Sequence, residues 1–322
     1  MKINEIYNSE CLSGLKSLPN NSIQCCVTSP PYYGLRDYGN KRQIGLEKTP
    51  EEYIQKLVDV FREVRRVLKD DGTLWVNIGD SYAGSMKGAA AYPDNAMNYK
   101  QGTNRGTLGK ATLVKQCTGC KSKDLIGIPW MLAFALRADG WYLRQDIIWS
   151  KPNPMPESVT DRCTKSHEYI FLLSKSRKYY FDSKSIQQEA SQGVKSRIGK
   201  IENVGYKAFS AAAELDESNP MFRKSTTREY QYADKANKRS VWSVPTAAYK
   251  DAHFAVFPEK LIVDCIRAGC PEQGIVLDPF MGSGTTAVVA RKLNRNFIGF
   301  ELNPDYVCLA EKRIERELGI FK

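Results

Sequence analysis

The chain has 322 residues, long enough for one large domain with insertions or for two smaller domains. It is 42% hydrophobic and 26% charged, as a globular protein is, and no run approaches the roughly 18 apolar residues of a membrane span. Residues 1–5 lack a signal peptide's apolar segment, and nine cysteines without a framework spacing predict a reduced, cytoplasmic protein.

The net charge of +11 is concentrated in two segments of the chain. Residues 84–125 contain seven Lys or Arg against two Asp or Glu, and residues 183–250 contain twelve against seven. The rest of the chain is close to neutral. Basic charge confined to two insertions favours a polyanionic partner; a merely basic, solvated surface is the alternative.

The first third of the chain alternates short apolar runs with helical periodicity. Strands are predicted at 3–7, 23–28 and 73–78. The helix before the third strand begins at Thr49, with proline at its first position and acidic residues in its first turn. Strand, helix and strand in this order are typical of a parallel sheet.

The rest of the chain continues this alternation around two irregular regions. Residues 79–123 show no periodicity, and a loop of this length is usually functional or disordered. Residues 183–250 are also irregular, with aromatic residues among the basic ones. The other predicted elements are a helix at 128–138, strands at 145–149 and 168–173, a helix at 257–268, a strand at 275–278, a helix at 287–293 and a strand at 297–300.

Residues 28–35, Thr-Ser-Pro-Pro-Tyr-Tyr-Gly-Leu, form the first candidate site. Pro30 and Pro31 end the preceding strand because neither can donate to a sheet ladder. The turn carries the Ser29 hydroxyl, backbone carbonyls of fixed direction and the Tyr32 ring, at the strand end where open α/β sheets bind ligands. Such a turn would hold a flat ring through its amino group. An ordinary proline turn is the alternative.

The second candidate site is a strand, a glycine-rich turn and a helix at residues 275–286. Glycine lets the backbone approach a ligand closely, and the start of the helix offers unpaired N–H groups. Glu301 follows Asp278 by 23 positions, close to the offset at which Rossmann-type folds place an acid on ribose hydroxyls. The sequence therefore predicts a cofactor that contains a ribose.

Three cofactor classes fit this turn unequally. A nucleoside triphosphate site has a lysine after its last glycine, but here Thr285 follows Gly284. A dinucleotide site has a further glycine, so this turn matches only in part. The Asp278 carboxylate would repel pyrophosphate and suits a ligand with an ammonium group. S-adenosylmethionine has that ammonium group and a ribose for Glu301, and it is the predicted cofactor.

The two sites together resemble the β-class of DNA amino-methyltransferases, in which the catalytic motif precedes the cofactor loop. The resemblance covers nearly the whole chain and extends to residues 71–75, 148–153, 166–170 and 253–261. It implies an α/β fold: the Rossmann-like fold of class I S-adenosylmethionine-dependent methyltransferases, with a mostly parallel seven-stranded sheet, permuted motif order and irregular DNA-binding insertions.

The resemblance also divides the chain into three regions. Residues 1–182 would form the catalytic half of the methyltransferase domain and include the basic loop 84–125. Residues 183–250 would recognise the target sequence. Residues 251–322 would form the cofactor-binding half.

The implied activity is direct methyl transfer to the exocyclic amino nitrogen of a base flipped out of double-stranded DNA. Ser29 in the first motif position favours cytosine N4. Adenine N6 on the same scaffold is the alternative, and an inactive nucleic-acid-binding protein is a more remote one. The family implies a monomer or homodimer, and a cognate restriction endonuclease is compatible with it.

The resemblance assigns roles to individual residues. The predicted catalytic residues are Ser29, Pro30, Pro31 and Tyr32. The predicted cofactor residues are Glu10, Phe257, Asp278, Pro279, Phe280, Gly282, Ser283, Gly284, Thr285, Glu301 and Asn303, with Glu10 where the family often has Asp. The predicted base-pocket residues are Tyr33, Trp149 and Lys151, and His167 and Glu168 are expected to be hydrogen-bonded scaffold. No metal site is predicted, because Cys117 and Cys120 lack a second close pair of ligands.

Overall fold

The computed structural model describes residues 1–35, 37, 40, 42–84, 119–190, 195–197, 230–232, 234–246 and 257–319. Most of the basic segments 84–125 and 183–250 lies outside these residues, as do Cys117 and residues 253–256. The chain forms two compact units. The larger one combines Met1–Ser185 with Arg239–Lys322, and the smaller one is Ile186–Lys238.

Strands and helices alternate along the larger unit, as the sequence predicts. The strands of the chain are β1 Glu5–Asn8, β2 Ile23–Thr28, β3 Leu68–Ile78, β4 Tyr142–Ser150, β5 His167–Ser174, β6 Gln188–Glu189, β7 Lys195–Arg197, β8 Tyr230–Tyr232, β9 Lys235–Ala236, β10 Val241–Ser243, β11 Ile275–Asp278 and β12 Asn296–Glu301. The helices are α1 Cys11–Lys16, α2 Pro50–Val67, α3 Ile128–Ala138, α4 Glu259–Gly269, α5 Thr285–Lys292 and α6 Pro304–Leu318.

The central sheet of the larger unit has the strand order β1-β12-β11-β2-β3-β5-β4-β10. Every pairing is parallel except those of β5, which runs antiparallel to both β3 and β4. The predicted mostly parallel sheet is therefore confirmed, but the described residues give it eight strands rather than seven. The additional strand is β10, which pairs in parallel with β4 through Trp242 and Trp149. Its three residues are too few to show strand periodicity.

Several predicted boundaries differ from the observed ones by a few residues, and two of the differences have a local cause. Strand β3 begins at Leu68 rather than at residue 73, because Leu68 already pairs with Ile23 before the register shifts and resumes at Cys25 and Thr73. Helix α5 begins at Thr285, directly after Gly284 in a left-handed conformation. Boundaries of this kind depend on single backbone angles, which periodicity does not report.

Helix α2 packs its apolar face on the sheet and fixes the first candidate site. Thr49 caps it, accepting a hydrogen bond from the Glu52 N–H at 3.1 Å, and Tyr53, Leu57 and Phe61 are fully buried. The Tyr53 hydroxyl donates to the Pro31 carbonyl at 2.8 Å. Since β2, β11 and β12 are parallel neighbours, their carboxyl ends bring both candidate sites to one edge of the sheet.

The smaller unit contains two short antiparallel ladders. Strand β6 pairs with β9 through Gln188 and Ala236, and β7 pairs with β8 through Ser196 and Gln231. This unit lies within the region 183–250 for which target recognition is predicted.

Three further features concern the described part of the chain only. None of its helices is long and apolar enough to cross a membrane. Its His, Cys, Asp and Glu side chains form no cluster of three or more that could hold a metal ion. Its cysteines are free thiols, and most of them are buried.

Candidate active site

A cavity of about 420 Å³ lies at the carboxyl ends of β2, β11 and β12. Two walls enclose it: the base wall, formed by residues 29–32 after β2, and the cofactor wall, formed by residues 278–285 after β11 together with Glu301. The predicted site residues that line it are Glu10, Ser29, Pro30, Pro31, Tyr32, Phe257, Asp278, Pro279, Phe280, Gly282, Ser283, Thr285, Glu301 and Asn303. Segments about 250 positions apart in the sequence thus share one cavity.

Asp278 links the two walls through hydrogen bonds. Its Oδ1 accepts from the Thr28 hydroxyl at 2.6 Å and from the Phe280 N–H at 3.0 Å, and its Oδ2 accepts from the Thr286 hydroxyl at 2.7 Å. Burial raises the pKa of Asp278 to about 6, although these hydrogen bonds oppose the rise. The carboxylate expected to meet a cationic ligand directly therefore accepts hydrogen bonds within the protein, and its donors among the described residues are neutral.

Glu301, at the end of β12, also accepts hydrogen bonds from within the protein. Its Oε2 accepts from the Gly282 N–H and its Oε1 accepts from the Asn303 N–H, both at 2.8 Å. Burial raises the pKa of Glu301, while the two backbone N–H groups lower it. Asn303 in turn caps α6 by accepting from the Asp305 N–H at 3.0 Å. The acid predicted for the ribose thus lies on the cavity and also holds the glycine turn.

Gly284 packs closely against helix α6. Its φ is +81°, and a Cβ there would lie 2.9 Å from the Cβ of Ala310 in α6. Gly284 is not among the described residues that line the cavity and packs against α6, and its contact with the cofactor stays a prediction. Gly282 does line the cavity: its φ is +54°, and a Cβ there would come no closer than 3.9 Å to the Phe280 carbonyl.

Arg313, which the sequence did not single out, supports the cofactor wall from behind. The buried guanidinium donates to the Thr285 hydroxyl, to Glu259 and to Glu317, each at 2.8 Å. It joins α4, α5 and α6 to the turn. Its position in α6 resembles that of an ordinary surface cation, so periodicity gives no signal for it.

Glu10 lies on the cavity but serves chiefly as a helix cap. It accepts from the backbone N–H groups of Leu12 and Ser13 at 2.9 and 2.8 Å, and from the Ser13 hydroxyl at 2.9 Å. Partial burial raises its pKa, but the hydrogen bonds outweigh this and lower the pKa overall. The longer side chain therefore folds back on α1, whose first turn it stabilises.

The base wall is held by hydrogen bonds from its side chains. The Tyr32 hydroxyl donates to Glu168 Oε2 at 2.6 Å and lies 3.3 Å from Asn77 Oδ1. Burial, and next the charge of Glu168, raise the pKa of Tyr32 well above its usual value. The Tyr32 ring lies against Gly79, where an added Cβ would be 2.7 Å from Tyr32 Cε2. Glycine after β3 is what allows this ring position.

Glu168 is paired with a cation, unlike the acids of the cofactor wall. Its Oε1 forms an ion pair with Lys151, and its Oε2 also accepts from Asn77 Nδ2 at 3.4 Å. The Lys151 ammonium lies 4.3 Å from the centre of the Trp149 ring. The Trp149 Nε1–H donates to the Val244 carbonyl at 2.7 Å, which ties this pair to the segment after β10.

The three residues predicted to line the base pocket are not among the described residues that line the cavity. Tyr33 is buried in the core, where its hydroxyl donates to the Lys48 carbonyl at 3.2 Å and its ring packs on Tyr53. Trp149 and Lys151 lie behind Tyr32, next to Glu168. The structure thus places Tyr33 in the core and Trp149 and Lys151 behind the base wall, and a part for them in binding the base stays a prediction.

The fold and this cavity agree with the comparisons to known proteins. The family described as DNA methylase (N6_N4_Mtase) matches residues 23–312. The chain belongs to this DNA methylase family. The predicted fold of class I S-adenosylmethionine-dependent methyltransferases is confirmed, and S-adenosylmethionine is the cofactor, as the sequence predicted.

Relatives of this methylase match it over nearly its whole length. The Type II methyltransferase M.SmaI of Serratia marcescens is 46% identical over 314 residues, which are 97% of this chain and 91% of M.SmaI. M.Cfr9I of Citrobacter freundii, also a Type II methyltransferase, is 44% identical over 314 residues, 97% of this chain and 88% of M.Cfr9I.

Two solved structures share the fold of the methylase at low sequence identity. The PvuII DNA methyltransferase (cytosine-N4-specific) aligns with a TM-score of 0.61 and 18% identity, over 98% of this chain and 90% of that one. The putative DNA modification methylase TTHA0409 of Thermus thermophilus, complexed with S-adenosyl-L-methionine, aligns with a TM-score of 0.56 and 22% identity, over 98% and 95%.

The lining of the methylase cavity suits the cofactor in volume and charge. A volume of about 420 Å³ lies within the usual range of ligand sites, roughly 300 to 1,000 Å³. Among the described lining residues, the carboxyl groups of Glu10, Asp278, Glu301 and Asp305 outnumber the one guanidinium, that of Arg42. This excess of acid suits a cationic ligand, and aromatic rings on the same walls suit its flat base.

Sequence reasoning missed part of the cavity lining of this methylase. The additional residues are Cys11, Leu35, Asn40, Arg42, Gln43, Ile44, Met281, Phe300, Leu302, Pro304, Asp305 and Tyr306. Residues 302–306 follow β12 directly and carry an Asn-Pro-Asp helix start, a signal that could have identified them. Residues 35–44 show no periodicity. Their only sequence signal for the site is that they directly follow the proline turn.

Proposed function

We propose that this methylase transfers a methyl group from S-adenosylmethionine to the exocyclic N4 of a cytosine flipped out of double-stranded DNA. The observation that carries the proposal is the shared cavity. The Ser-Pro-Pro-Tyr turn and the glycine-rich turn line one space, and the Thr28–Asp278 hydrogen bond of 2.6 Å joins them. An amino group held by the first turn would therefore face a donor held by the second.

Ser29 and the turn carbonyls would position the amine. An exocyclic amine delocalises its lone pair into the ring and is a poor nucleophile. Oxygen acceptors that bind its protons in fixed directions favour the tetrahedral geometry in which that lone pair can attack. Because prolines and the Tyr53–Pro31 hydrogen bond hold the turn rigid, these acceptors need no rearrangement during the reaction.

The residues of the cofactor wall would hold the donor. When bound, S-adenosylmethionine supplies an electrophilic methyl group on a sulfonium centre. Among the described residues, the donors to the Asp278 and Glu301 carboxylates are neutral, which favours a cationic ligand at this wall. Tyr32, fixed by Glu168 and Gly79, offers an aromatic surface to the base on the opposite wall.

Two further observations support DNA as the substrate and cytosine as the base. The excess positive charge of segments 84–125 and 183–250 suits contacts to phosphates, and we propose that 183–250, which contains the unit Ile186–Lys238, reads the target sequence. Ser29 in place of an acidic first motif residue favours cytosine. A cognate restriction endonuclease stays a prediction of the family resemblance.

Expression of the protein in a host without DNA methylation tests the proposal in one step. Mass spectrometry of nucleosides from the host DNA is expected to detect N4-methylcytosine, and methylation-sensitive sequencing is expected to place it at one short site. A host that expresses Ser29→Ala at the same level serves as the control, because its DNA should remain largely unmodified.

The possible results separate the parts of the proposal. If only N6-methyladenine is found, the choice of cytosine is wrong while the transfer reaction stands. If purified protein binds S-adenosylmethionine but modifies no base in any DNA, the proposed transfer itself is refuted.

A further inference from the structure

Arg42 is the only lysine or arginine among the described residues that line the cavity. The residue is exposed, so it lies where the cavity opens to solvent. Within the described part of the chain, the hydrogen bond of Arg42 is made by its backbone N–H, which donates to Asn40 Oδ1 at 3.0 Å. No described carboxylate forms an ion pair with the guanidinium, although four acids share the same lining. A cation at this opening is therefore available to an anionic ligand.

Hydrogen bonds and packing on either side of Arg42 hold it on the base-wall side of the cavity. The Gly34 N–H donates to the Gly45 carbonyl at 2.7 Å, so the chain before Arg42 and the chain after it meet beside the proline turn. Gly45 has a φ of +107°, and a Cβ there would lie 3.1 Å from the Tyr32 carbonyl oxygen. Gln43, the next residue after Arg42, is buried. Arg42 is thus anchored next to the base wall, and the acids of the cofactor wall belong to the other wall.

The anion that reaches this opening follows from the connectivity of DNA. When a nucleotide is flipped, its base enters the cavity, but the two phosphates that flank it continue into the duplex and remain outside. A guanidinium presents its N–H groups in a planar fork that matches phosphate oxygens. We propose that Arg42 binds a phosphate next to the flipped nucleotide and so holds that nucleotide in its extrahelical position. The proposal rests on the function proposed above and adds a contact that recognises the flipped backbone.

The methionine carboxylate of the cofactor is the other anion that could meet Arg42. The position of Arg42 favours the phosphate, because the residue is exposed and its neighbours along the chain pack on the base wall. The two ligands differ in what they would change. A phosphate contact alters the affinity for DNA and its dependence on salt, whereas a carboxylate contact alters the affinity for S-adenosylmethionine in the absence of DNA.

The test removes the charge of Arg42 and the charge of the phosphate in turn. Duplexes carry the mapped target base with a neutral methylphosphonate in place of either flanking phosphate or, as a reference, of a phosphate several nucleotides away on the same strand. Dissociation constants are measured with S-adenosylhomocysteine present, over a range of salt concentrations, for the wild type, Arg42→Gln and Arg42→Lys. Arg267→Gln is the matched control: Arg267 is also exposed, but it lies in the last turn of α4, which leads to the amino end of β11.

We expect Arg42→Gln to bind the unmodified duplex about tenfold more weakly. The slope of log affinity against log salt should become less steep by about 0.9, the loss of one phosphate contact, and Arg42→Lys should keep the wild-type slope because it keeps the charge. One flanking methylphosphonate should weaken binding by the wild type about tenfold and by Arg42→Gln less than about twofold, since its partner is already absent. Arg267→Gln should behave as the wild type, and affinity for S-adenosylmethionine should change less than about twofold in all variants.

Two results would overturn the proposal. One is that each flanking methylphosphonate weakens binding by the wild type and by Arg42→Gln to the same extent. The other is a loss of affinity for S-adenosylmethionine in Arg42→Gln with unchanged affinity for DNA, which would make the cofactor carboxylate the ligand. If Arg42→Gln does not fold by circular dichroism, Arg42→Met supplies the same comparison. A wild type that methylates no DNA contradicts the proposed function, whereas an active wild type that responds to the methylphosphonates as Arg42→Gln does contradicts only the role of Arg42.

Discussion

The two walls of the cavity treat their acidic residues in opposite ways. On the cofactor wall, the hydrogen bonds of Asp278 and Glu301 among the described residues come from hydroxyl and backbone N–H groups, and no described cation forms an ion pair with either carboxylate. Behind the base wall, Glu168 is neutralised by Lys151, which itself lies over the Trp149 ring. Carboxylates therefore make the cofactor wall negatively charged, whereas the ion pair of Glu168 leaves the base wall close to neutral.

This difference matches what each wall would bind. A cationic donor gains from the uncompensated charge, whereas a neutral base gains nothing from a field and needs acceptors in fixed directions. The same comparison shows why the walls need different supports. The cofactor wall is held by the Asp278 and Glu301 carboxylates and by Arg313 behind them, and the base wall by side chains of β3 and β5 and by Lys151 after β4.

The largest effect is expected from breaking the base wall at Ser29. In Ser29→Ala the amino group of the base loses the hydrogen-bond acceptor that the Ser29 hydroxyl provides. The rate of methyl transfer should therefore fall about 100-fold to 1,000-fold. The affinity for S-adenosylmethionine should stay within about twofold, because the cofactor wall is untouched. Radiolabelled methyl transfer and isothermal titration measure the two quantities. Ser22→Ala, whose hydroxyl bonds the Pro19 carbonyl outside the cavity, is the control, and equal losses in both variants would remove Ser29 from the site.

The next effect breaks the cofactor wall from behind. Arg313→Met leaves Thr285, Glu259 and Glu317 without their common partner, and the free energy of unfolding should fall by about 3 kcal/mol. Urea denaturation measures the change. Lys312→Met removes an exposed cation from the same helix and should change it by less than about 0.5 kcal/mol. A similar small effect of Arg313→Met would mean that the turn is held without it.

A smaller effect separates the two glycines of the cofactor turn. Both have positive φ, so alanine at either position costs about 1 kcal/mol of backbone strain. Alanine at Gly284 must also displace Ala310, which should add about 1 to 2 kcal/mol of overpacking. Thermal unfolding should therefore rank Gly284→Ala below Gly282→Ala in stability. Cofactor titration should show a greater loss of affinity in Gly282→Ala than in Gly284→Ala, because Gly282 lines the cavity and Gly284 does not. If Gly282→Ala proved the less stable variant and Gly284→Ala the weaker binder, the two glycines would have each other's roles.

These glycines also show how much of the site could be predicted from the sequence. Strand-ending prolines, a glycine turn and an acid after the next strand located both walls, because these signals depend on local backbone chemistry. The same signals could not tell Gly282 from Gly284, since the difference lies in Ala310, some 26 positions later. Arg313 was missed for the same reason: its partners lie on other helices, and no local pattern encodes them.

The direction of side chains around the base wall was the least predictable part. Tyr32 and Tyr33 are adjacent, yet one lines the cavity and the other enters the core beside Tyr53. The two side chains differ by one position along the backbone after the two prolines, and this decides which lines the cavity and which enters the core. The composition of the sequence does not show this direction. The parallel sheet was predictable because strands and helices alternate over many residues, whereas β10 has only three.

The smallest predicted effect tests the field of the cofactor wall through pH. Burial raises the pKa of Asp278 to about 6, so the group is ionised above that pH and neutral below it. A cationic ligand favours the ionised form, and binding of S-adenosylmethionine should therefore tighten as pH rises through 6. Between pH 5.5 and 7.5 the ionised fraction grows about fourfold, and affinity should rise by the same factor.

Variants on each wall decide whether this dependence belongs to the cofactor wall. Tyr32→Phe should retain it, because the base wall does not contribute to the field. Asp278→Asn should bind more weakly at pH 7.5 and lose most of the change with pH; any remainder is assigned to Glu301, whose pKa burial also raises. If affinity in the wild type is flat between pH 5.5 and 7.5, Asp278 acts only as the hydrogen-bonded joint between the walls, and the contrast in charge does not govern binding.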